Sequence, residues 1–369
     1  MAATPGAVLW PTVVYPVTRL SSFSPSDSMR KARRSVINTG FPLDGPTLGE
    51  IGEDAVIRSI IEASPSAVNG DDAAVLHPPS PNSRMVATTD MMVEGRHFRS
   101  DLTTPFLLGR KAVVQNFADI EAMGARPLAA LLSFSAPSRT PAAVVADIAR
   151  GIGTELDKYG TELVGGDVTA GQSLVMSVTA IGSLGGNRPP LTLTGARAGQ
   201  TVVAHGRIGY SAAGLELLES GITIPAELEP LAHAYQSPEL TPGCGMVARS
   251  AGATSMTDNS DGLLHDVGVL AQRSGVRIDL NSDAIAPDAL LVKAGEMLGV
   301  DPWKWVCEGG EDHTLIGTLQ AEAPVGFRPI GTVHKPSSES GSSAATTSSI
   351  SVTIDGNAPQ YTRGWESFS

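Results

Sequence analysis

The chain has 369 residues, 41% of them hydrophobic, which sets a prior of two or three domains and leaves enough apolar material for a sizeable core. Its 26 basic and 38 acidic residues give a net charge of −12, which argues against generic binding to DNA or to an anionic membrane. The two cysteines, Cys244 and Cys307, are too few for a disulfide framework or a four-cysteine zinc site, and no apolar run approaches the ~18 residues of a membrane span.

Residues 1–48 read as a variable, disordered N-terminal extension. Residues 7–17 are apolar, but Pro11 and Pro16 interrupt them and no basic residue precedes them, so they make a poor secretory signal. The basic run Met29-Arg30-Lys31-Ala32-Arg33-Arg34 follows. The extension is expected to be dispensable and the protein cytoplasmic, with both thiols reduced.

A helix is expected over 54–63, then strands at 73–76 and 85–89. Residues 106–123 carry helical spacing through Leu107, Val113, Val114, Phe117, Ile120 and Met123, and Gly124 stops them. A strand follows at 129–134, a helix at 141–159 with Pro141 in its first turn, and strands at 162–164 and 174–183. Residues 185–190, Gly-Gly-Asn-Arg-Pro-Pro, are the best boundary. It divides an N-terminal domain, 49–187, from a C-terminal domain, 188–369. The second half restarts with a strand at 201–205, helices at 212–219 and 245–250, and a strand at 253–256 running into Asp258. A helix at 263–273 and a strand at 276–280 follow. Residues 336–349 form a Ser-rich loop before a last strand at 351–355. The fold class is α/β of the α+β type, in two domains rather than one doubly wound sheet.

Aspartates recur beside glycine or hydroxyl residues at the ends of apolar segments. They stand in Gly70-Asp71-Asp72, Thr88-Thr89-Asp90, Asn116-Phe117-Ala118-Asp119, Gly165-Gly166-Asp167, Asp258-Asn259-Ser260-Asp261-Gly262 and Gly309-Gly310-Glu311-Asp312. Each alone is most simply a turn or a helix cap. Six together imply carboxylates that must be neutralised, and oxygen ligands on loops suit Mg²⁺ shared with substrate phosphates. There is no P-loop motif, protein-kinase signature, complete EF-hand loop or histidine zinc spacing. Gly209-Tyr210-Ser211-Ala212-Ala213-Gly214 misses the nucleophile elbow. It reads as a glycine turn opening a helix, whose N–H groups could hold an anion or could be a plain helix start.

In order, these motifs resemble those of the thiamine-monophosphate kinase family, within the aminoimidazole-ribonucleotide-synthetase-like superfamily. The matching segments are Gly70-Asp71-Asp72-Ala73-Ala74, Thr88-Thr89-Asp90 through Gly95-Arg96-His97-Phe98, and Lys111-Ala112 through Asn116 to Gly124-Ala125. Tyr159 with Gly165-Gly166-Asp167, then Gly209 to Gly214, Ser260-Asp261-Gly262-Leu263, Gly309-Gly310-Glu311-Asp312 and Gly364-Trp365 complete the set. The resemblance covers about residues 49–368. It implies an N-terminal mixed-sheet domain that pairs in a homodimer, a C-terminal α/β domain, and phosphorylation of thiamine monophosphate to thiamine diphosphate with ATP and several Mg²⁺ ions.

By the same resemblance, Asp72, Thr88, Thr89, Asp90, Asp119, Asp167, Asp258 and Asp261 would bind Mg²⁺, directly or through water. Tyr159, Gly166, Asp167 and Ser260 would contact ATP, and His97, Glu311 and Trp365 the thiamine phosphate. No protein nucleophile or base is implied. The chain departs from the family pattern at Leu193, where the family has an ATP-holding Arg, and at Asn259 and His313. Arg188 and Arg197 are candidates to replace that Arg. The competing readings are another ATP-using synthetase of the superfamily and a non-catalytic, metal-dependent nucleotide-binding protein.

Overall fold

The computed structural model describes residues 39–67, 74, 76–77, 80–336 and 351–365. Residues 1–38, the motif residues 70–73 with Asp72 among them, and the Ser-rich loop from residue 337 lie outside these. Of the strand expected at 73–76, Ala74 and Leu76 are described and have no regular structure.

Two short helices, α1 (Leu48–Ile51) and α2 (Glu53–Ala63), precede the first sheet. That sheet contains β1 (Arg84–Val93), β2 (Arg126–Ala136), β3 (Glu162–Ala170) and β4 (Val175–Leu184), in the order β1-β4-β2-β3. β4 is antiparallel to β1 and β2, whereas β3 lies parallel to β2. The parallel pair requires a crossover, which α4 (Ala142–Asp157) supplies. α3 (Pro105–Ala122) lies between β1 and β2 in the chain. The Thr104 side chain accepts the Leu107 N–H and Pro105 fills the first turn, so the chain stops being extended there.

Helices α2 and α3 both pack on α4, forming one layer against the sheet. The opposite face of β1 exposes Met85, Ala87, Thr89 and Met91 by strict alternation.

The second sheet contains β5 (Thr201–His205), β6 (Ser255–Asp258), β7 (Arg277–Leu280), β8 (Leu315–Leu319), β9 (Arg328–His334) and β10 (Val352–Ile354). Their order is β10-β7-β9-β5-β8-β6. Seven helices accompany it: α5 (Tyr210–Glu219), α6 (Glu229–Gln236), α7 (Cys244–Ala251), α8 (Leu263–Ser274), α9 (Ser282–Ile285), α10 (Ala289–Leu298) and α11 (Pro302–Glu308). Both sheets therefore mix strands with helices, as the sequence implies. The elements α6, α9, α10, α11, β8 and β9 are additions to the sequence reading. Among the described residues no helix is long and apolar enough to cross a membrane.

Two expected boundaries are corrected. β1 continues past Thr89 to Val93, so Asp90 sits inside a strand. β3 continues through Gly165-Gly166-Asp167, which is strand rather than a turn. A Cβ on Gly166 would stand 1.9 Å from the Leu132 carbonyl oxygen, so glycine there permits close pairing with β2.

α3 is the element common to both sheets. Thirteen of its eighteen residues are buried, and it packs on β1, β2 and β4 as well as on β6, β8, α6 and α7. Its Phe117 and Ile120 share a core with Met176 of the first sheet and with Val203, Met256, Leu315 and Leu319 of the second. A second core holds Leu217, Leu263, Val267, Ile278 and Trp305.

Near its end, fully buried Glu121 accepts the Gly243 N–H at 2.6 Å and the Gly245 N–H at 2.8 Å, capping α7 from another element. Burial pushes the Glu121 carboxyl up to about 7, against the opposing pull of these backbone bonds. A Cβ on Gly245 would stand 1.8 Å from the Glu121 carbonyl oxygen, so the two helices touch backbone to backbone. Glu121→Ala strands two buried N–H groups and should cost about 1–3 kcal/mol, read as a lower urea midpoint. An unchanged midpoint would remove Glu121 from the contacts that join the sheets.

Candidate active site

Lys111, Gln115 and Asp119 fall four residues apart on α3 and so share one face. At one end of this face the Asp119 Oδ2 accepts the Thr88 hydroxyl at 2.8 Å. Gln115 donates to the Asp90 Oδ2 at 3.1 Å, and the Asn116 side-chain oxygen accepts the Asp90 N–H at 2.9 Å. These bonds tie β1 to α3. Burial pushes Asp119 up to about 7, reinforced by the charges of Asp258 and Asp90, with the Thr88 bond opposing. Burial also raises Asp261; nearby His265 opposes that rise while Asp258 and Asp90 add to it. Four aspartates therefore feel one another's charge.

Asp258 ends β6, and the buried imidazole of His313 lies with its Nδ1 3.0 Å from the Asp258 Oδ2. Burial opposes an imidazolium at His313, but the Asp258 hydrogen bond and the charges of Asp258 and Glu311 outweigh it and raise His313.

Backbone contact between two loops fixes this geometry. Glu311 N–H donates to the Ser260 carbonyl at 2.8 Å and His313 N–H to the Asn259 carbonyl at 3.0 Å. A Cβ on Gly310 would stand 2.2 Å from the Ser260 carbonyl oxygen, so the close approach demands glycine. Glu311 and His313 both hold left-handed backbone, with φ of 62° and 52°. Between them Asp312 points the other way and accepts the Gly209 N–H at 2.5 Å and the Ser211 N–H at 2.8 Å. The glycine turn that opens α5 is thus occupied by the protein's own carboxylate.

These loops border a cleft of about 610 Å³, within the range of small-molecule sites. Asp90, His97, Ser260, Asp261, Glu311 and Trp365 all line it. The His97 Nδ1 accepts the Val93 N–H at 3.0 Å, which leaves the proton of a neutral ring on Nε2. Burial lowers the His97 pKa, with Arg96 and Lys111 acting in the same sense against Glu311 and Asp90. Trp365 N–H donates to the Asp261 carbonyl at 2.9 Å, and the Arg96 guanidinium lies 4.9 Å from the Trp365 ring centroid.

Residues 70–184 match the family described as AIR synthase related protein, N-terminal domain. A thiamine-monophosphate kinase of Corynebacterium glutamicum is 57% identical over 327 residues, covering 88% of this chain and 96% of its own. One from Mycobacterium tuberculosis is 41% identical, covering 88% and 94%. The chain belongs to the thiamine-monophosphate kinase family. Its fold matches the crystal structure of the Stenotrophomonas maltophilia thiamine-monophosphate kinase with a TM-score of 0.68 at 28% identity, over 83% of this chain and 96% of that one. It matches AaThiL complexed with AMPPCP and TMP with a TM-score of 0.66 at 30% identity, over 86% and 97%.

The fold gathers nine of the residues singled out from the sequence around this kinase-family cleft: Thr88, Asp90, Asp119, Asp258, Asp261, Ser260, His97, Glu311 and Trp365. It does not gather four others. Strand alternation turns Thr89 to the opposite sheet face, where its hydroxyl meets Ser177 and Thr179. Gly166 and Asp167 lie on β3, at the other edge of the sheet from β1. Tyr159 is buried, edge-on to Phe117 at 4.9 Å, and its hydroxyl reaches the Leu240 carbonyl at 3.4 Å. Asp72 lies outside the described residues.

Neither Arg188 nor Arg197 lines the cleft. Arg188 donates to the Arg249 carbonyl, and Arg197 donates to the Thr194 and Ala196 carbonyls. Gln115, Asn116 and Lys111 are site residues that the acidic pattern alone does not reveal. Lys111 and Asn116 stand in the segments that match the family, without an assigned role, and Gln115 is signalled only by its place on the predicted helix, one turn before Asp119 and one turn after Lys111.

The raised Asp119 carries a pH signature. Its folded value of about 7 lies above the ordinary 3.8, so its contribution to stability is present below pH 3.8 and is lost as pH rises through 7. In chelator at pH 8, Asp119→Asn should therefore melt higher than the wild type by a few degrees, roughly 1 kcal/mol or more. The difference should vanish below pH 4. Equal melting temperatures at pH 8 would show that burial and neighbouring charge do not penalise the Asp119 carboxylate there.

Proposed function

We propose that this chain transfers the γ-phosphoryl group of ATP directly to the phosphate of thiamine monophosphate, forming thiamine diphosphate. The observation that carries this reading is that one cleft joins an oxygen-rich acidic cluster to an imidazole, a carboxylate and an indole. Family membership supports it, and AaThiL is complexed with AMPPCP and TMP.

Mg²⁺ fits the acidic end. The donors are hard oxygens, and burial together with neighbouring charge holds Asp119 near 7 even with His313 paired to Asp258. Thr88, Asp90, Asp119, Asp258 and Asp261 would hold the ions, joined by Asp72. When bound, Mg²⁺ supplies charge neutralisation that lets two phosphates approach. The chain's own residues position the reactants. Ser260 contacts ATP, and His97 offers its Nε2–H to the acceptor phosphate. Glu311 and Trp365 face the cationic heterocycle. No protein nucleophile takes part.

The geometry of His97 bears on the choice of acceptor. Free thiamine presents a hydroxyl whose proton must be removed. His97 spends its Nδ1 lone pair on the Val93 N–H and has a lowered pKa, so it suits donation to an anion rather than proton abstraction.

In this reading the enzyme is a cytoplasmic homodimer. The buried free thiols Cys244 and Cys307 are compatible with a reducing compartment. The uncovered face of the first sheet, with exposed Met85, Met91, Thr89 and Asp167, meets its mate in a second copy. The domain division falls at 187/188, in the irregular chain between β4 and β5.

Asp90→Asn should fold normally and lose at least about tenfold in Mg²⁺-dependent turnover, since removing one ligand charge typically costs more than 1.4 kcal/mol of transition-state stabilisation. Wild-type kinetics with thiamine monophosphate and with free thiamine test the acceptor directly. Comparable turnover of the two would overturn the reading. Trp365→Ala should weaken acceptor binding more than ATP binding, because a cationic ring favours an aromatic face. A defect confined to ATP would move Trp365 out of the acceptor site.

A further inference from the structure

Lys111 is an unexplained charge. Its side chain is 2% exposed, and its ammonium has no hydrogen-bond acceptor in good geometry. Two groups face it: the Glu311 Oε2 at 3.1 Å and the ring of Tyr235, with its centroid 4.2 Å away. A buried ammonium so weakly satisfied is poor for stability, and an apolar side chain of similar length would pack there as well or better. The reason for a lysine lies in what it does to Glu311.

Glu311 is held by its backbone in a left-handed conformation, with its N–H on Ser260, yet its side chain is one-third exposed and lines the cleft. Its carboxylate would otherwise be free to rotate. Lys111 anchors one of its two oxygens from the protein side and leaves the other for a ligand. From the helix face that also carries Gln115 and Asp119, it offsets the negative charge of Glu311. The site thereby keeps its uncompensated charge at the aspartates, and its other end is close to neutral.

We propose that Lys111 is a positioning residue that orients the Glu311 carboxylate for the acceptor, a ligand joining a cationic heterocycle to a phosphate. The inference rests on the function proposed above. Nothing in it requires Lys111 to touch a substrate.

The test is a double-mutant cycle on the full chain, with Lys111→Met, Glu311→Gln and the pair. Initial rates are measured against varied thiamine monophosphate and, separately, varied ATP. Lys111→Met should raise the acceptor KM by about tenfold, the size of a 1.4 kcal/mol loss, and leave the ATP KM within about twofold. In the Glu311→Gln background the same change should add little, because the group it positions is already altered.

Four results overturn the proposal: an unchanged acceptor KM in Lys111→Met, equal damage to both KM values, losses in the pair that multiply, or a Lys111→Met protein that does not fold. The last would make the ammonium a structural element. Glu311→Gln alone must also raise the acceptor KM, and an unchanged value there overturns the proposal independently. A wild type that consumes no thiamine monophosphate brings down the functional reading and this inference with it. An active wild type with an indifferent Lys111→Met brings down this inference alone.

Discussion

Most of α3 is buried, yet it carries Lys111, Asn116, Asp119 and Glu121. Polar groups on a buried helix must find partners, and apart from the Asn116 amide, which donates to the Ala112 carbonyl, α3 does not satisfy them itself. Each partner comes from a different place. Thr88 and Asp90 lie on β1, the Gly243 and Gly245 N–H groups open α7, and Glu311 follows α11. Satisfying the helix therefore requires both sheets to close on it. The cleft lies at that seam, where Gln115 of α3 and the partners Asp90 and Glu311 line it. Folding and site assembly are in this sense one event, since no single sheet holds a complete set of partners.

The same seam separates two electrostatic regimes within a few turns of helix. At the Asp119 end, like charges accumulate, offset by His313 at Asp258 and by His265 near Asp261. At the Lys111 end, Lys111 faces Glu311 and the Arg96 guanidinium lies over the Trp365 ring. An acceptor that is cationic in its ring and anionic in its phosphate matches this gradient, with the anion directed toward the end where cations are needed. A substrate of uniform charge would oppose one end or the other.

Much of this was legible in the sequence where one physical rule acts alone. The 3.6-residue spacing from Leu107 to Met123 located α3, and glycine beside aspartate located most of the site loops. Legibility failed where tertiary contacts override local pattern. β8 is buried along its whole length with Gly317 and Thr318 inside it, so it shows no alternation. Gly165-Gly166-Asp167 reads as a turn because glycine usually marks one, whereas here it lets two strands approach. Thr89 looks equivalent to Thr88 in sequence, and only the continuation of β1 through Asp90 shows that the two hydroxyls face opposite sides. Lys111 is the plainest case. Lysine reads as a solvated side chain, and nothing local says that Glu311, two hundred residues away, will bury it.

The turn at Gly209, which in sequence fits both an anion site and a plain helix start, shows how tertiary contacts decide chemistry. A glycine-rich turn opening a helix is an inviting anion site, and in many nucleotide-binding proteins the phosphates sit on those N–H groups. Here Asp312 fills the position with a buried carboxylate of the chain itself. The electropositive end of α5 is therefore committed to holding the Gly309–His313 loop in its left-handed turns, which places Glu311 and His313 on the cleft side. With that helix end occupied, the phosphates of a nucleotide must find their neutralising charge elsewhere in the cleft. The aspartates at its far end cannot provide it directly, because they carry the same sign. The cationic side chains lining the cleft are Arg96, Lys304 and Arg363, and the aspartates would take part only with cations between the two sets of oxygens. The internal cap on α5 and the crowding at Asp119 thus act in the same sense: both leave a bound phosphate dependent on positive charge that neither supplies.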